Sequence, residues 1–245
     1  MTLADVRRAV KKVSNAERAG FFQDFFRTGQ GGYGEGDLFL GLTVPQVRAI
    51  AKEFRGIDLK DVPALLKSKF HEERLLALVM LVRKFDRGDA KERAKIFRLY
   101  LAHRQHVNNW DLVDVSAPHI VGRYLLESRD HSVIERLSRT KRLWDRRIAM
   151  VATFAFIRAG KLDWTFKLAE RFLSAPEDLM HKASGWMLRE AGKRDERALR
   201  RFLDLHAATM PRTMLRYALE KLPIADRKRY MAQRGQLLSK AKKVI

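Results

Sequence analysis

Four stretches decide how this chain folds: EERLLALVMLVRKF at 72–85, WDLVDVSAPHIVG at 110–122, WDRRIAMVATFAFIRAG at 144–160 and HKASGWMLREAGK at 181–193. Their apolar residues recur at i, i+3, i+4 and i+7, the period of a helix with a buried face. Each stretch opens on a polar or charged cluster. Their starts lie about 35–40 residues apart, the length of a two-helix repeat. More polar helical segments, such as Ala90–Ala102 and Ser132–Arg139, lie between them. Period-two alternation with turn signals is nearly absent, so no sheet is expected. The predicted fold is all-α: a HEAT-like repeat solenoid, an α-α superhelix with a concave basic groove, forming a single domain over 1–245. An irregular helical bundle is the competing arrangement.

Composition narrows the function. The chain has 245 residues and 46% hydrophobic content, which is ample for a core and too apolar for a disordered tail. It contains no Cys. That excludes disulfides, thiolate zinc sites, thiol nucleophiles and a cysteine that accepts an alkyl group. No apolar run of about 18 residues occurs, and the opening MTLADVRRAVKKV is amphipathic rather than a signal peptide. A cytoplasmic protein without a membrane partner is expected. Lys and Arg number 50 against 29 Asp and Glu, a net charge of +21. An excess of this size suits a polyanion. The basic residues are spread along the chain rather than gathered on one amphipathic segment, which favours nucleic acid over an anionic membrane. The C-terminus carries Arg234, Lys240, Lys242 and Lys243. Residues 234–245 read either as a mobile basic tail adding phosphate affinity or as a solvated helix face.

Thr28–Gly41, TGQGGYGEGDLFLG, holds six of the chain's 14 Gly residues. It follows a Phe-rich helix expected over Ala16–Arg27, with Phe21, Phe22, Phe25 and Phe26 on one side. The G-x-G-x-x-G spelling at 29–34 lacks the preceding strand of a dinucleotide site, and Glu35 and Asp37 follow with charges that repel phosphate. A flexible connector, or a loop that moves when DNA docks, is expected. The His residues are scattered, no H-x-D anchors an iron triad and no G-x-S-x-G occurs. They are expected at the surface or in the groove, with no metal and no cofactor.

The chemistry concentrates at Trp110–Pro118. Trp110 and Asp114 are i and i+4, so indole and carboxylate share a helix face. Pro118 has no N–H for the Asp114 carbonyl, and its ring disturbs the helix there. An Asp pair capping a helix, with Trp110 as core filler, is the alternative reading. Later starts carry Trp144 with Arg147, and Lys182 with Gly185 and Trp186, the Gly allowing close approach to Trp186. In a solenoid such starts stack, so Trp110, Asp114, Arg147 and Trp186 are expected to converge.

These residues resemble the AlkD-like family of HEAT-repeat DNA glycosylases, the DNA alkylation repair proteins. The resemblance covers most of the chain. It rests on Phe39-Leu40-Gly41 with Pro45 and Arg48, W-D-x-V-D-x-x-x-P-x-x-x-G at Trp110–Gly122, W-x-x-R at Trp144–Arg147, and K-A-x-G-W-x-L-R-E at Lys182–Glu190. It implies a monomeric, monofunctional glycosylase without lyase activity. Its partner would be double-stranded DNA, from which it releases cationic alkylated purines such as N3-methyladenine and N7-methylguanine in base excision repair. The matching positions make Asp114, Trp110, Trp186 and Arg147 the expected catalytic set. Arg48, Arg74, Lys182 and Arg189 are the expected DNA contacts. The sequence departs from the family at Asn109, where a second Trp can stand, at Val44 and at Ala155, with Arg158 nearby. The family's N-terminal DNA-contacting Tyr has no sure counterpart, Tyr33 being the candidate. A non-catalytic HEAT-like protein recognising damaged or branched DNA is the alternative.

Overall fold

The computed structural model describes the backbone of residues 1–242 and the side chains of 1–233. Among these residues the chain is helical, and the sole strand-like pairing is an isolated bridge between Leu38 and Phe70. Among the described residues no helix is long and apolar enough to cross a membrane. The contacts gather into two compact units, Met1–Tyr124 and Leu125–Ile245.

The first unit contains α1 (Leu3–Lys12), α2 (Ala16–Phe25), α3 (Val44–Glu53), α4 (Val62–Leu66), α5 (His71–Arg87), α6 (Ala90–Ala102) and α7 (Trp110–Ser116). Local chemistry sets most starts. Thr2 and Asp5 form a capping box at α1, Thr43 and Gln46 another at α3, and Asn15 and Asp89 accept from the first turns of α2 and α6. α2 ends two residues before the expected Arg27, which instead takes a left-handed φ of 51°. α5 is the centre of this unit, packing against α3, α4, α6 and α7. Its Leu76, Ala77, Leu78 and Leu81 are fully buried, each large aliphatic side chain contributing about 1.5–3 kcal/mol.

After α7 the helix changes register. Pro118–Gly122 is a π-helical turn in which the Gly122 N–H donates to the Ala117 carbonyl at 2.8 Å, before α8 (Arg123–Ser128) resumes. Pro118 brings no N–H to the carbonyl four residues earlier, and the wider turn absorbs that fault. The irregularity expected beside Asp114 is therefore present.

The second unit continues with α9 (Ser132–Ser138), α10 (Leu143–Arg158), α11 (Asp163–Arg171), α12 (Asp178–Gly192), α13 (Glu196–His206), α14 (Arg212–Leu219) and α15 (Ile224–Lys242). Long apolar α10 and α12 alternate with the more polar α9, α11 and α13 and pack on them and on each other, as the repeat spacing requires. α14 packs closely on α12. A Cβ on Gly185 would lie 2.5 Å from the Met214 carbonyl oxygen and 2.6 Å from the Tyr217 Cβ. Gly185 therefore serves the α12–α14 contact, rather than an approach to Trp186. The basic tail expected at 234–245 lies outside the described side chains, and its last three residues lie outside the described backbone.

Candidate functional site

In the first unit, α7 presents Trp110 and Asp114, both half-buried, on one face. Asn109, at the position where the family can carry Trp, is the N-cap of α7 and accepts from the Trp110 N–H at 2.8 Å. Trp110 is backed by rings. Phe26 stacks on it at 5.4 Å with 21° between planes, and Phe25 meets it edge-on at 6.2 Å. Phe26 in turn stacks on Phe39 at 5.0 Å, and Phe39 on the His71 imidazole at 4.6 Å. Phe21 and Phe25 are exposed, so the four phenylalanines of α2 and its C-cap divide between the core and a surface shelf beside Trp110.

The column rests on a buried charge network. His71, 2% exposed, bonds Asp37 through Nδ1 at 3.1 Å and Asp111 through Nε2 at 2.8 Å. Arg74, 4% exposed, pairs its Nη2 with Asp37 at 2.6 Å and donates from Nη1 to the Ser68 carbonyl at 2.9 Å. Burial opposes charge on His71. The Asp111 charge, with the hydrogen bonds from Asp111 and Asp37, outweighs it against Arg74 and pushes the imidazole up to about 9. Burial likewise opposes ionisation of Asp37, yet His71 and Arg74 hold its carboxyl below the usual range. His71 is thus a buried imidazolium, not the surface or groove residue expected. Because each ring nitrogen already serves a different carboxylate, the cluster is an ion-pair network rather than a chelate.

The glycine-rich segment is fixed to the same network. Glu72, also buried, accepts backbone N–H groups from Leu40 at 2.9 Å, Gly41 at 2.8 Å and Leu42 at 3.1 Å. From the other side, Arg18 Nη1 donates to the Gly41 carbonyl at 2.8 Å and the Asn15 N–H to the Leu40 carbonyl at 2.8 Å. Gly41 is required here. Its φ is 79°, and a Cβ would lie 2.1 Å from the Asn15 carbonyl oxygen. The expectation of a flexible connector is corrected for residues 37–42, which are clamped by α2 and the first turn of α5. Tyr33 spends its hydroxyl on the Phe25 carbonyl at 3.1 Å.

In the second unit, Arg147 of α10 is 4% exposed, and its Nη1 donates to the Leu179 carbonyl of α12 at 2.7 Å. Two helical turns further along each helix, Phe154 meets Trp186 at 5.9 Å, and Arg158 lies over the Phe154 ring at 4.5 Å. Arg147 and Trp186 therefore belong to one α10–α12 seam, with Trp186 half-buried.

The expected DNA contacts divide. Arg48 is exposed on α3. Lys182 is half-buried and pairs with Asp178 at 2.9 Å. Arg189 is bound to Glu190 at 3.0 Å and to Glu220. Arg74 is the correction: its guanidinium is buried against Asp37 and braces the loop instead of offering charge at the surface. Sequence reasoning missed His71, Glu72 and Asp37. For His71 and Glu72 the one signal was a cluster of charged residues opening an apolar helix, and Asp37 in the glycine-rich segment had none.

The model of a family described as DNA alkylation repair enzyme matches residues 6–222. Among solved structures, the chain is similar to a predicted DNA alkylation repair enzyme from Enterococcus faecalis. The two share 16% identity over 86% of this chain and 97% of that one, with a TM-score of 0.68. At that identity the likeness speaks for the fold. Comparison with curated proteins yielded no match. On the extent of the family match, this chain belongs to the DNA alkylation repair enzyme family.

Proposed function

We propose that the chain is a DNA glycosylase that hydrolyses the N-glycosidic bond of cationic alkylated purines, such as N3-methyladenine and N7-methylguanine, in duplex DNA. The observation that carries this reading is the pairing of a half-buried indole, backed by Phe26, with the Asp114 carboxylate on one face of α7. An alkylated purine is already positive. When the C1′–N bond breaks, the electron pair leaves with the base, which becomes neutral, and positive charge appears on the sugar. Asp114 stabilises that charge and takes a proton from the water that adds to C1′, leaving an abasic site. The Trp110 ring offers its negative face to the same cation, contributing about 0.5–2 kcal/mol according to desolvation. Arg147, buried and donating to the Leu179 carbonyl, steadies the α10–α12 seam that carries Trp186. Arg48, Lys182 and Arg189 serve the backbone, Lys182 and Arg189 by exchanging their carboxylate partners for phosphate. No lysine imine enters the scheme, so no strand cleavage accompanies base release.

The test is base release from duplex DNA carrying 7-methylguanine, beside a duplex carrying uracil. The scheme expects release of the cationic base and little of the neutral one. Salt-sensitive duplex binding without release of any alkylated base would favour a non-catalytic DNA-binding role.

A further inference from the structure

We propose that His71, clamped between Asp37 and Asp111, is a positioning residue that sets the first turn of α7 and hence the placement of Trp110 and Asp114. This inference rests on the glycosylase reading of α7. His71 sits at the first position of α5 and is 2% exposed, so it touches no substrate. Its reach is through others. Nε2 holds Asp111 Oδ2 at 2.8 Å, and Asp111 Oδ1 accepts the Leu112 N–H at 2.9 Å. Asp111 is the residue after Trp110 and three before Asp114, so one bond fixes the turn that carries both. Nδ1 holds Asp37 at 3.1 Å, and Asn108, just before the α7 cap, donates to the same carboxylate at 3.4 Å. The Phe39 and Phe26 rings continue from the imidazole to the inner face of Trp110. A side chain that anchors both the turn and the ring backing of Trp110 governs where the indole lies.

Charge makes the clamp conditional. An imidazolium donates to both carboxylates. A neutral imidazole donates to only one and turns a lone pair toward the other. The charged groups around it are Asp37 from the loop before α3, Asp111 from α7, and Arg74, Glu72 and Glu73 from its own helix. Glu72 is committed to the Leu40–Leu42 amides, Glu73 to Arg7 at 3.4 Å, and Arg74 to Asp37. Loss of the His71 proton therefore releases one end of the clamp, and base release declines as pH rises through about 9.

The experiment is single-turnover release of 7-methylguanine by the full chain across pH, for wild type, His71→Gln and Asp111→Asn, with duplex affinity and thermal unfolding of each. His71→Gln is expected to lower the rate at saturating DNA roughly 10–100-fold, the order that slight misplacement costs, with affinity little changed and the alkaline limb absent. Asp111→Asn keeps an acceptor but loses the charge, so it shifts the limb to lower pH, and it serves where His71→Gln does not fold. In parallel, the emission of Trp110, taken as wild type minus Trp110→Phe, is expected to titrate near pH 9 and to be flat when His71 is Gln. Folded variants with wild-type rate and pH profile overturn the positioning role while leaving the glycosylase reading intact. If wild type releases no base, the glycosylase reading fails, and the Trp110 emission alone decides: a flat wild-type titration overturns the positioning role.

Discussion

Glu72→Gln tests how firmly the glycine-rich segment is held. The carboxylate accepts from Leu40 through Oε2 at 2.9 Å and from Gly41 and Leu42 through Oε1 at 2.8 and 3.1 Å. A glutamine keeps one oxygen, which continues to serve Gly41 and Leu42 as a neutral acceptor. Its amide nitrogen then faces the Leu40 N–H, donor against donor. One charge-assisted bond, worth about 1.5–3 kcal/mol, is lost, and the two others weaken by about 1 kcal/mol each. An amide is easier to bury than a carboxylate, which returns part of the loss. The net destabilisation is about 2–4 kcal/mol, corresponding to a fall in melting temperature of roughly 5–15 °C for a protein of this size. Urea unfolding followed by circular dichroism measures it, and base-release rate should drop as the Phe39 support of Trp110 loosens. A Glu72→Gln protein within about 0.5 kcal/mol of wild type would refute the claim that this carboxylate anchors the loop.

The His71 proton gives a pH signature. The folded imidazole is pushed up to about 9 from its ordinary 6.5, so its stabilisation is full below pH 6.5 and is lost as pH rises through 9. The gap corresponds to about 3 kcal/mol. The difference in urea stability between wild type and His71→Gln should therefore shrink between about pH 6 and pH 10; a constant difference contradicts a buried imidazolium. Asp37 acts in the opposite sense, its contribution fading as pH falls through its lowered range. Gly185→Ala places a methyl group 2.5 Å from a backbone oxygen of α14. It should cost about 1–3 kcal/mol by overpacking, read as a lower melting temperature; an unchanged melt shows that α14 yields.

The helical repeat was legible because it is written locally. The four apolar stretches became the cores of α5, α7, α10 and α12, and the Phe-rich helix expected from Ala16 became α2. Trp110 and Asp114 share a face by helix geometry, and Pro118 announced a helix irregularity, which took the form of a π-turn. What sequence could not convey was tertiary pairing. His71 finds Asp37 across 34 positions and Asp111 across 40, and neither spacing has a local signature. Abundant glycine suggested a moving loop, because glycine reports backbone freedom and says nothing of the carboxylate that removes it. Arg74 looked like a surface cation for the same reason: an arginine opening an amphipathic helix turns inward when a buried acid awaits it. Gly185 reads as local space for Trp186, yet it admits α14 from 29 positions downstream at Met214.

In the proposed chemistry the α7 carboxylate meets a sugar that becomes positive as a damaged base departs. The most direct measurement is the single-turnover rate of 7-methylguanine release at saturating duplex for wild type and Asp114→Asn, with binding of the same duplex measured alongside. A fall of about 10²-fold or more, the scale expected for losing an electrostatic group at the reacting centre, with duplex affinity equal or higher, is the predicted result. Equal rates in the two proteins would contradict it.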